Sequence, residues 1–207
     1  MWRVSVLALC AACLGLAAAP PVILVLGDSL SAGYGLSQGK GWVDLLQQRL
    51  AREGYPYRVV NASISGDTTL DGRNRLAGAL ARERPVIVVL ELGANDGLRG
   101  QSIAEMRANL AQMIQASRGQ GARTLLVGMR LPPNYGPGYT NKFQQAFLEV
   151  SRDAQVPLVP FLLDGFADRR ELFQADGIHP RLEAQGLILD NVWKRLQPML
   201  GPAPPGR

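Results

Sequence analysis

Val22-Ile23-Leu24-Val25-Leu26 runs directly into Gly27-Asp28-Ser29-Leu30-Ser31. An unbroken apolar run cut off by a glycine is the pattern of a strand buried on both faces, which is how strands of a parallel sheet read. Comparable short runs recur at Tyr57 to Val60, Val86 to Leu90, Thr124 to Val127 and Pro157 to Val159. Between them lie Trp42 to Arg52, Leu70 to Arg84, Ile103 to Arg118 and Thr140 to Arg152, with a last stretch from Leu182 to Leu196, each with apolar residues three and four apart. Strands alternating with helices predict an α/β chain, a three-layer α/β/α sandwich of flavodoxin-like kind around a five-stranded parallel sheet. Ligands of such sheets sit at the carboxyl ends of the strands, so the loops that follow each strand are where chemistry is expected.

The chain has 207 residues, of which 47% are hydrophobic and 19% charged, a size and balance that fit one globular domain and exclude a disordered chain. No internal period is present, which excludes solenoid and collagen-like architectures. The formal charge of +5 comes from scattered basic residues without a dense run, so nucleic acid is not an expected partner.

Met1-Trp2-Arg3, the apolar stretch Val4 to Leu16 and Ala17-Ala18-Ala19-Pro20 have the layout of a secretory leader, with cleavage expected after Ala17 or Ala18 because Pro20 disfavours a cut at Ala19. The apolar stretch is too short to span a bilayer, so no permanent membrane anchor is expected. The expected organisation is a leader over 1–19, a folded domain over 20–200 and a disordered Pro-rich tail over 201–207. Both cysteines, Cys10 and Cys13, fall in the leader, so the mature chain is expected to hold no disulfide. With one histidine and no mature cysteine, the usual zinc sites are not available, and no metal is expected.

The loop after the first run, Gly27 to Gly35, invites two functional readings. A phosphate-binding P-loop needs four residues between its glycines, but Gly27 and Gly33 enclose five and Tyr34 follows. A dinucleotide fingerprint needs a glycine where Gln38 stands. What remains is Ser29 as a nucleophile at a strand-to-helix turn, beside the bland alternative that Asp28 and Ser29 cap a helix. The Gly-x-Ser-x-Gly elbow of α/β-hydrolases is absent, because Ser31 stands where its second glycine belongs.

After the second run comes Asn61-Ala62-Ser63-Ile64-Ser65-Gly66-Asp67, in which Gly66 can present its N–H to a ligand or simply shape a loop. After the third comes Glu91-Leu92-Gly93-Ala94-Asn95-Asp96, in which Asn95 can donate its amide to an oxyanion or take a left-handed turn. His179, the single histidine, is the one side chain suited to general-base work near neutral pH, and Asp176 three residues earlier is placed to fix its tautomer.

Taken in order, Gly27-Asp28-Ser29-Leu30-Ser31, Ser65-Gly66-Asp67, Gly93-Ala94-Asn95-Asp96 and Asp176-Gly177-Ile178-His179-Pro180 resemble the four blocks of the SGNH (GDSL-type) hydrolase superfamily. The stretches Asn61 to Thr68, Glu91 to Gly100 and Arg130 to Gly136 are similar to its bacterial periplasmic thioesterase, arylesterase and lysophospholipase branch. The resemblance implies that Ser29 is the nucleophile, His179 its base and Asp176 the orienting carboxylate. It implies an oxyanion hole of the Ser29 and Gly66 backbone N–H groups and the Asn95 side chain. It further implies a periplasmic or secreted monomer with no cofactor, acting on small acyl esters, thioesters or lysophospholipids. The loops Asp96 to Gln101 and Arg130 to Gly136 would line the acyl groove, with Leu98, Pro132 and Tyr135 as substrate-binding residues. Ala94, where relatives often carry a second glycine, and Pro133 and Pro137 depart from the pattern and bear on specificity. Two other readings stay open, a carbohydrate O-deacetylase of the same superfamily and a non-catalytic lipid-binding module of the cell envelope.

Overall fold

The computed structural model describes residues 19–202. The expected leader therefore lies outside the described residues except for Ala19, as do residues 203–207 of the expected tail.

Five parallel strands form one sheet: β1 Val22–Gly27, β2 Arg58–Asn61, β3 Ile87–Glu91, β4 Arg123–Val127 and β5 Leu158–Val159. Their order is β2-β1-β3-β4-β5, so the chain reverses direction across the sheet after β2. Every residue of β1 and β3 is buried, whereas β2, at one edge, has no buried residue. The helices are α1 Ser29–Ala32, α2 Trp42–Arg52, α3 Thr69–Glu83, α4 Ala94–Leu98, α5 Ile103–Gly119, α6 Pro137–Ala154 and α7 Gln185–Leu196. α2 packs on α7 on one face, and α3, α5 and α6 pack side by side on the other. The expected three-layer α/β/α sandwich with its five-stranded parallel sheet is what forms.

Local chemistry fixes the helix starts. Thr68 and Asp71 form a reciprocal cap on α3, with Thr68 N donating to Asp71 Oδ2 at 2.9 Å and Asp71 N to Thr68 Oγ1 at 3.3 Å. Ser102 Oγ accepts from Glu105 N at the start of α5. Helix α6 begins at Pro137, three residues before the expected start at Thr140, because proline at the first helical position loses no hydrogen bond. The stretch expected as one helix from Leu182 opens as a 3₁₀ turn, Leu182–Ala184, before α7 begins. Single-turn α1 and α4 carry no periodicity; α1 is the short helix that the capping reading of Asp28 expects, and α4 has no counterpart in the sequence reading. At the C-terminal end of the described residues, the Gly201 N–H donates to Tyr57 Oη at 2.9 Å.

The core runs from the sheet into α5 and α6, where Phe143 and Phe147 meet edge to face at 5.3 Å between ring centroids. Phe143 is fully buried and lies under α4, so close to Gly97 that a β-carbon there would approach its Cε2 to 2.5 Å. The floor beneath the loop after β3 is therefore aromatic packing. Phe143→Ala is expected to cost about 3–5 kcal/mol of stability, read as a lower denaturation midpoint with unchanged slope in urea.

Candidate active site

At the carboxyl ends of the paired strands β1 and β3 the chain leaves in opposite directions, from β1 toward β2 and from β3 toward β4, the switch point at which such sheets open a crevice. Backbone register pairs Gly27 with Glu91, so the residues that follow them, Ser29 and Asn95, emerge side by side. Asp28 caps α1, accepting from Leu30 N at 3.0 Å, and Ser29 is the first residue of that helix. The capping reading and the nucleophile-turn reading of this loop are thus compatible: one carboxylate holds the turn and leaves Ser29 Oγ free to point out.

His179 reaches this crevice from the opposite end of the chain. The segment after β5 is pinned by an antiparallel bridge between Phe173 and Pro180, with Gln174 N donating to His179 O at 2.8 Å and Arg181 N to Leu172 O at 2.7 Å. The His179 Nε2 atom stands 2.9 Å from Ser29 Oγ, and Nδ1 stands 2.7 Å from Asp176 Oδ2. With Asp176 accepting from Nδ1–H, the Nε2 lone pair faces the hydroxyl. Asp176 Oδ1 accepts from the backbone N–H groups of Ile178 and His179 at 2.9 and 3.0 Å. What burial Asp176 has pushes its carboxyl up, but hydrogen bonds from the His179 backbone and imidazole and from Ile178 outweigh this and bring its pKa from 3.8 to about 2. The tilted Tyr34 ring covers the imidazole at 4.4 Å between centroids, and Gln174 holds that tyrosine by donating from Nε2 to Tyr34 O at 2.8 Å.

Gly66, at φ +89°, lies in the loop that folds back over Gly27, where Ile64 N donates to Gly27 O at 3.0 Å. Asn95 Nδ2 donates to Asp67 O at 3.0 Å and to Asp28 Oδ2 at 3.2 Å. Both of its amide hydrogens are therefore taken, and a bound oxyanion has to displace one of them; the longer bond to Asp28 is the weaker. Burial raises the Asp28 carboxyl to about 6, countered by the Leu30 N–H and His179 and reinforced by Asp67 and Asp96.

Several residues to which the sequence reading gave no role of their own hold this arrangement. Arg75 of α3 ties the loop after β2 to the end of β1: its Nε donates to Asp67 Oδ2 at 2.6 Å, its Nη1 to Ala62 O and its Nη2 to Gly27 O at 3.2 Å. Asp96, almost fully buried, accepts from Thr69 N at 2.8 Å and from Thr69 Oγ1 at 2.5 Å, joining α4 to the start of α3. Nothing in the sequence pairs these residues with their partners, which lie in other elements, from 8 to 48 positions away. Glu91, by contrast, is marked. A carboxylate that ends the otherwise apolar run Ile87-Val88-Val89-Leu90 is a visible anomaly.

Of the residues expected in the groove, Leu98 and Tyr135 come together, with Tyr135 Oη donating to Leu98 O at 3.0 Å. Pro132 precedes the 3₁₀ turn Pro133–Tyr135 and is exposed. Tyr139, not anticipated, adds a second clasp by donating to Gly97 O at 3.3 Å and Gln101 O at 3.1 Å. The hollow beside Ser29 is shallow, bordered by Tyr34, Leu36, His179 and Pro180, and the larger hollows of the described residues lie away from it. Among the described residues no cluster of His, Cys, Asp and Glu could hold a metal ion, and no helix is long and apolar enough to cross a membrane.

A model of the GDSL-like lipase/acylhydrolase family matches residues 25–187. The chain is 54% identical to Esterase TesA of Pseudomonas aeruginosa over 183 residues, 88% of this chain and 91% of that protein. It is 41% identical to Thioesterase 1/protease 1/lysophospholipase L1 of Escherichia coli K12 over 184 residues, 89% of this chain and 87% of that protein. The crystal structure of TesA superposes with a TM-score of 0.85 at 54% identity, covering 86% of this chain and 99% of that one.

The Asp176 carboxyl is a group whose folded pKa is depressed. Its contribution to stability is fully present above its ordinary value of 3.8 and is lost as pH falls through about 2. Asp176→Asn is therefore expected to flatten the fall of melting temperature across that acid window relative to the unaltered protein, as followed by circular dichroism.

Proposed function

This chain belongs to the GDSL-like lipase/acylhydrolase family, and on that premise we propose that it is a serine hydrolase of acyl esters and thioesters, with arylesters and lysophospholipids in its range. One observation carries the reading: the hydroxyl of Ser29, the imidazole of His179 and the carboxylate of Asp176 form a continuous hydrogen-bonded relay at the mouth of the strand crevice. The relatives named esterase and thioesterase supply the bond class.

In this mechanism Ser29 Oγ attacks the acyl carbon while His179 Nε2 takes the hydroxyl proton. Asp176 keeps the imidazole in the tautomer that can accept and stabilises the imidazolium that results. The oxyanion is received by the Ser29 N–H, the first amide of α1 and so without a helical acceptor, by the Gly66 N–H and by Asn95 Nδ2. For Asn95 this means giving up its bond to Asp28. Collapse expels the alcohol or thiol, which receives the proton held on His179. Water then attacks the acyl-Ser29 ester, loses its proton to His179, and the carboxylic acid leaves as Ser29 is reprotonated. No step calls for a metal or an organic cofactor.

Leu98, Pro132 and Tyr135 form the wall proposed for the acyl chain, supported by the clasp between the 96–101 and 130–136 loops. We propose further that the first residues are a leader removed on export by a cut after Ala17 or Ala18, that 20–200 hold the folded domain and that the enzyme works in the periplasm or outside the cell. The leader layout of the first residues supports this.

Hydrolysis of p-nitrophenyl esters from acetyl to palmitoyl tests the reading. Ser29→Ala is expected to abolish turnover with the fold intact, and Asn95→Ala to lower kcat by about 10²–10³ with KM little changed. Turnover at medium or long chains is the expected profile. Acetyl-only turnover would point to a carbohydrate deacetylase, and none above the Ser29→Ala blank to a binding module.

A further inference from the structure

Beneath the nucleophile turn lies a carboxyl group with no part in the relay. Glu91 ends β3 directly across the parallel register from Gly27 and is fully buried. Its Oε2 accepts from Ser31 Oγ at 2.6 Å and, more loosely, from Asp28 N at 3.4 Å. Oε1 is buried and has no hydrogen-bond partner. The fit is tight enough that a β-carbon on Gly27 would stand 2.7 Å from Oε2, so only glycine allows the strand end to lie over this carboxyl. The two bonds grip the turn on both sides of Ser29, one at the residue before it and one two residues after it.

We propose that Glu91 is a positioning residue for acyl transfer: from below, its carboxyl sets the height and tilt of the Asp28–Ser31 turn, and so the approach of Ser29 Oγ to His179 Nε2. It touches neither substrate nor reacting atoms and acts through Ser31 and the Asp28 amide. The inference rests on the assignment of Ser29 as the nucleophile.

The group does this as a neutral acid. An ionised Glu91 would leave Oε1 as half of a bare charge in the core, whereas the protonated form leaves only an unpaired hydroxyl or carbonyl. Burial pushes its carboxyl well above the usual carboxylate range, and the Asp28 carboxylate beside it adds to the rise, against the smaller pull of the Ser31 and Asp28 bonds. Arg75 of α3, which reaches Gly27 O across the register from Glu91, is spent on that carbonyl, Ala62 O and Asp67. A neutral acid also keeps a second negative charge away from the turn where the oxyanion forms.

Three variants of the full chain decide it, with Ser29→Ala alongside. Glu91→Ala is expected to lower kcat on p-nitrophenyl butyrate by about 10²-fold with KM unchanged, because a turn displaced by a fraction of an ångström misaligns the attack. Fluorophosphonate labelling of Ser29 is expected to slow by the same factor. Glu91→Gln, which keeps the shape, the acceptor and the neutrality, is expected to restore both rates to near those of the unaltered enzyme. Ser31→Ala, which removes the main link and little volume, is expected to lower kcat by about 10-fold, the size of one lost buried hydrogen bond. A folded Glu91→Ala with unaltered kcat and labelling rate overturns the proposal, as does a loss expressed in KM alone. Should Glu91→Ala not fold, Ser31→Ala at full kcat overturns it. Glu91→Gln as slow as Ser31→Ala or slower overturns the neutral-acid form. An active Ser29→Ala would instead remove the functional reading itself, so the two failures are told apart.

Discussion

The pairing of β1 with β3 is the constraint on which the rest depends. Because β2 returns to one side of β1 and β3 to the other, the ends of β1 and β3 are adjacent while their continuing chains part. That single topological choice puts the turn bearing Ser29 beside the loop bearing Asn95, and it needs a small residue where the strands end. Gly27 meets that need, with Glu91 across the register and Ser31 above both. Buried apolar pairing supplies the rigidity. Val25, Leu26, Val89 and Leu90 are essentially inaccessible, so the platform under the turn cannot shift without opening the core.

On this platform the polar groups fall into two tiers. The outer tier, Ser29, His179 and Asp176, is partly exposed and reachable by a substrate. The inner tier, Asp28, Glu91, Asp96, Thr69 and Arg75, holds loops to one another through bonds that span the chain. Burial of three carboxyl groups so close together raises the pKa of each, so the inner tier gains alignment at a cost in intrinsic stability. Asp28 belongs to both tiers: one oxygen caps α1 and the other orients the Asn95 amide.

The sheet was legible because strands enclosed on both faces, β1 and β3 above all, spell continuous apolar runs; every strand was placed to within one residue at each end, with β2 and β3 read one residue early. Trp42–Arg52 was legible to the residue, since a glycine ahead of it and an apolar stripe along it leave no ambiguity. The edges were less so. Thr140 looked like the start of α6 because Pro137 reads as a turn signal in sequence, although proline opens a helix without penalty. In the site, Ser29 and His179 stood out by residue type and scarcity, and Asp176 by nearness to the histidine. Arg75 and Tyr139 did not, because each is an ordinary helix residue until the fold brings Gly27 or Gln101 within reach, and Asp96, though inside a quoted block, gave no sign of its bond to Thr69.

The relay joins Ser29 to a histidine 150 residues later in the chain. Between them lie all the strands after β1, and His179 is fixed only when the bridge from Phe173 to Pro180 closes behind β5. A contact of such sequence separation forms late in folding, after the loops it closes have been organised by nearer contacts. With His179 as the proposed base, the serine has none while the chain is unfinished or only partly folded. On that assignment, esters in its surroundings meet an inert hydroxyl until the C-terminal segment has docked, and completion of the chain is itself the step that turns the enzyme on.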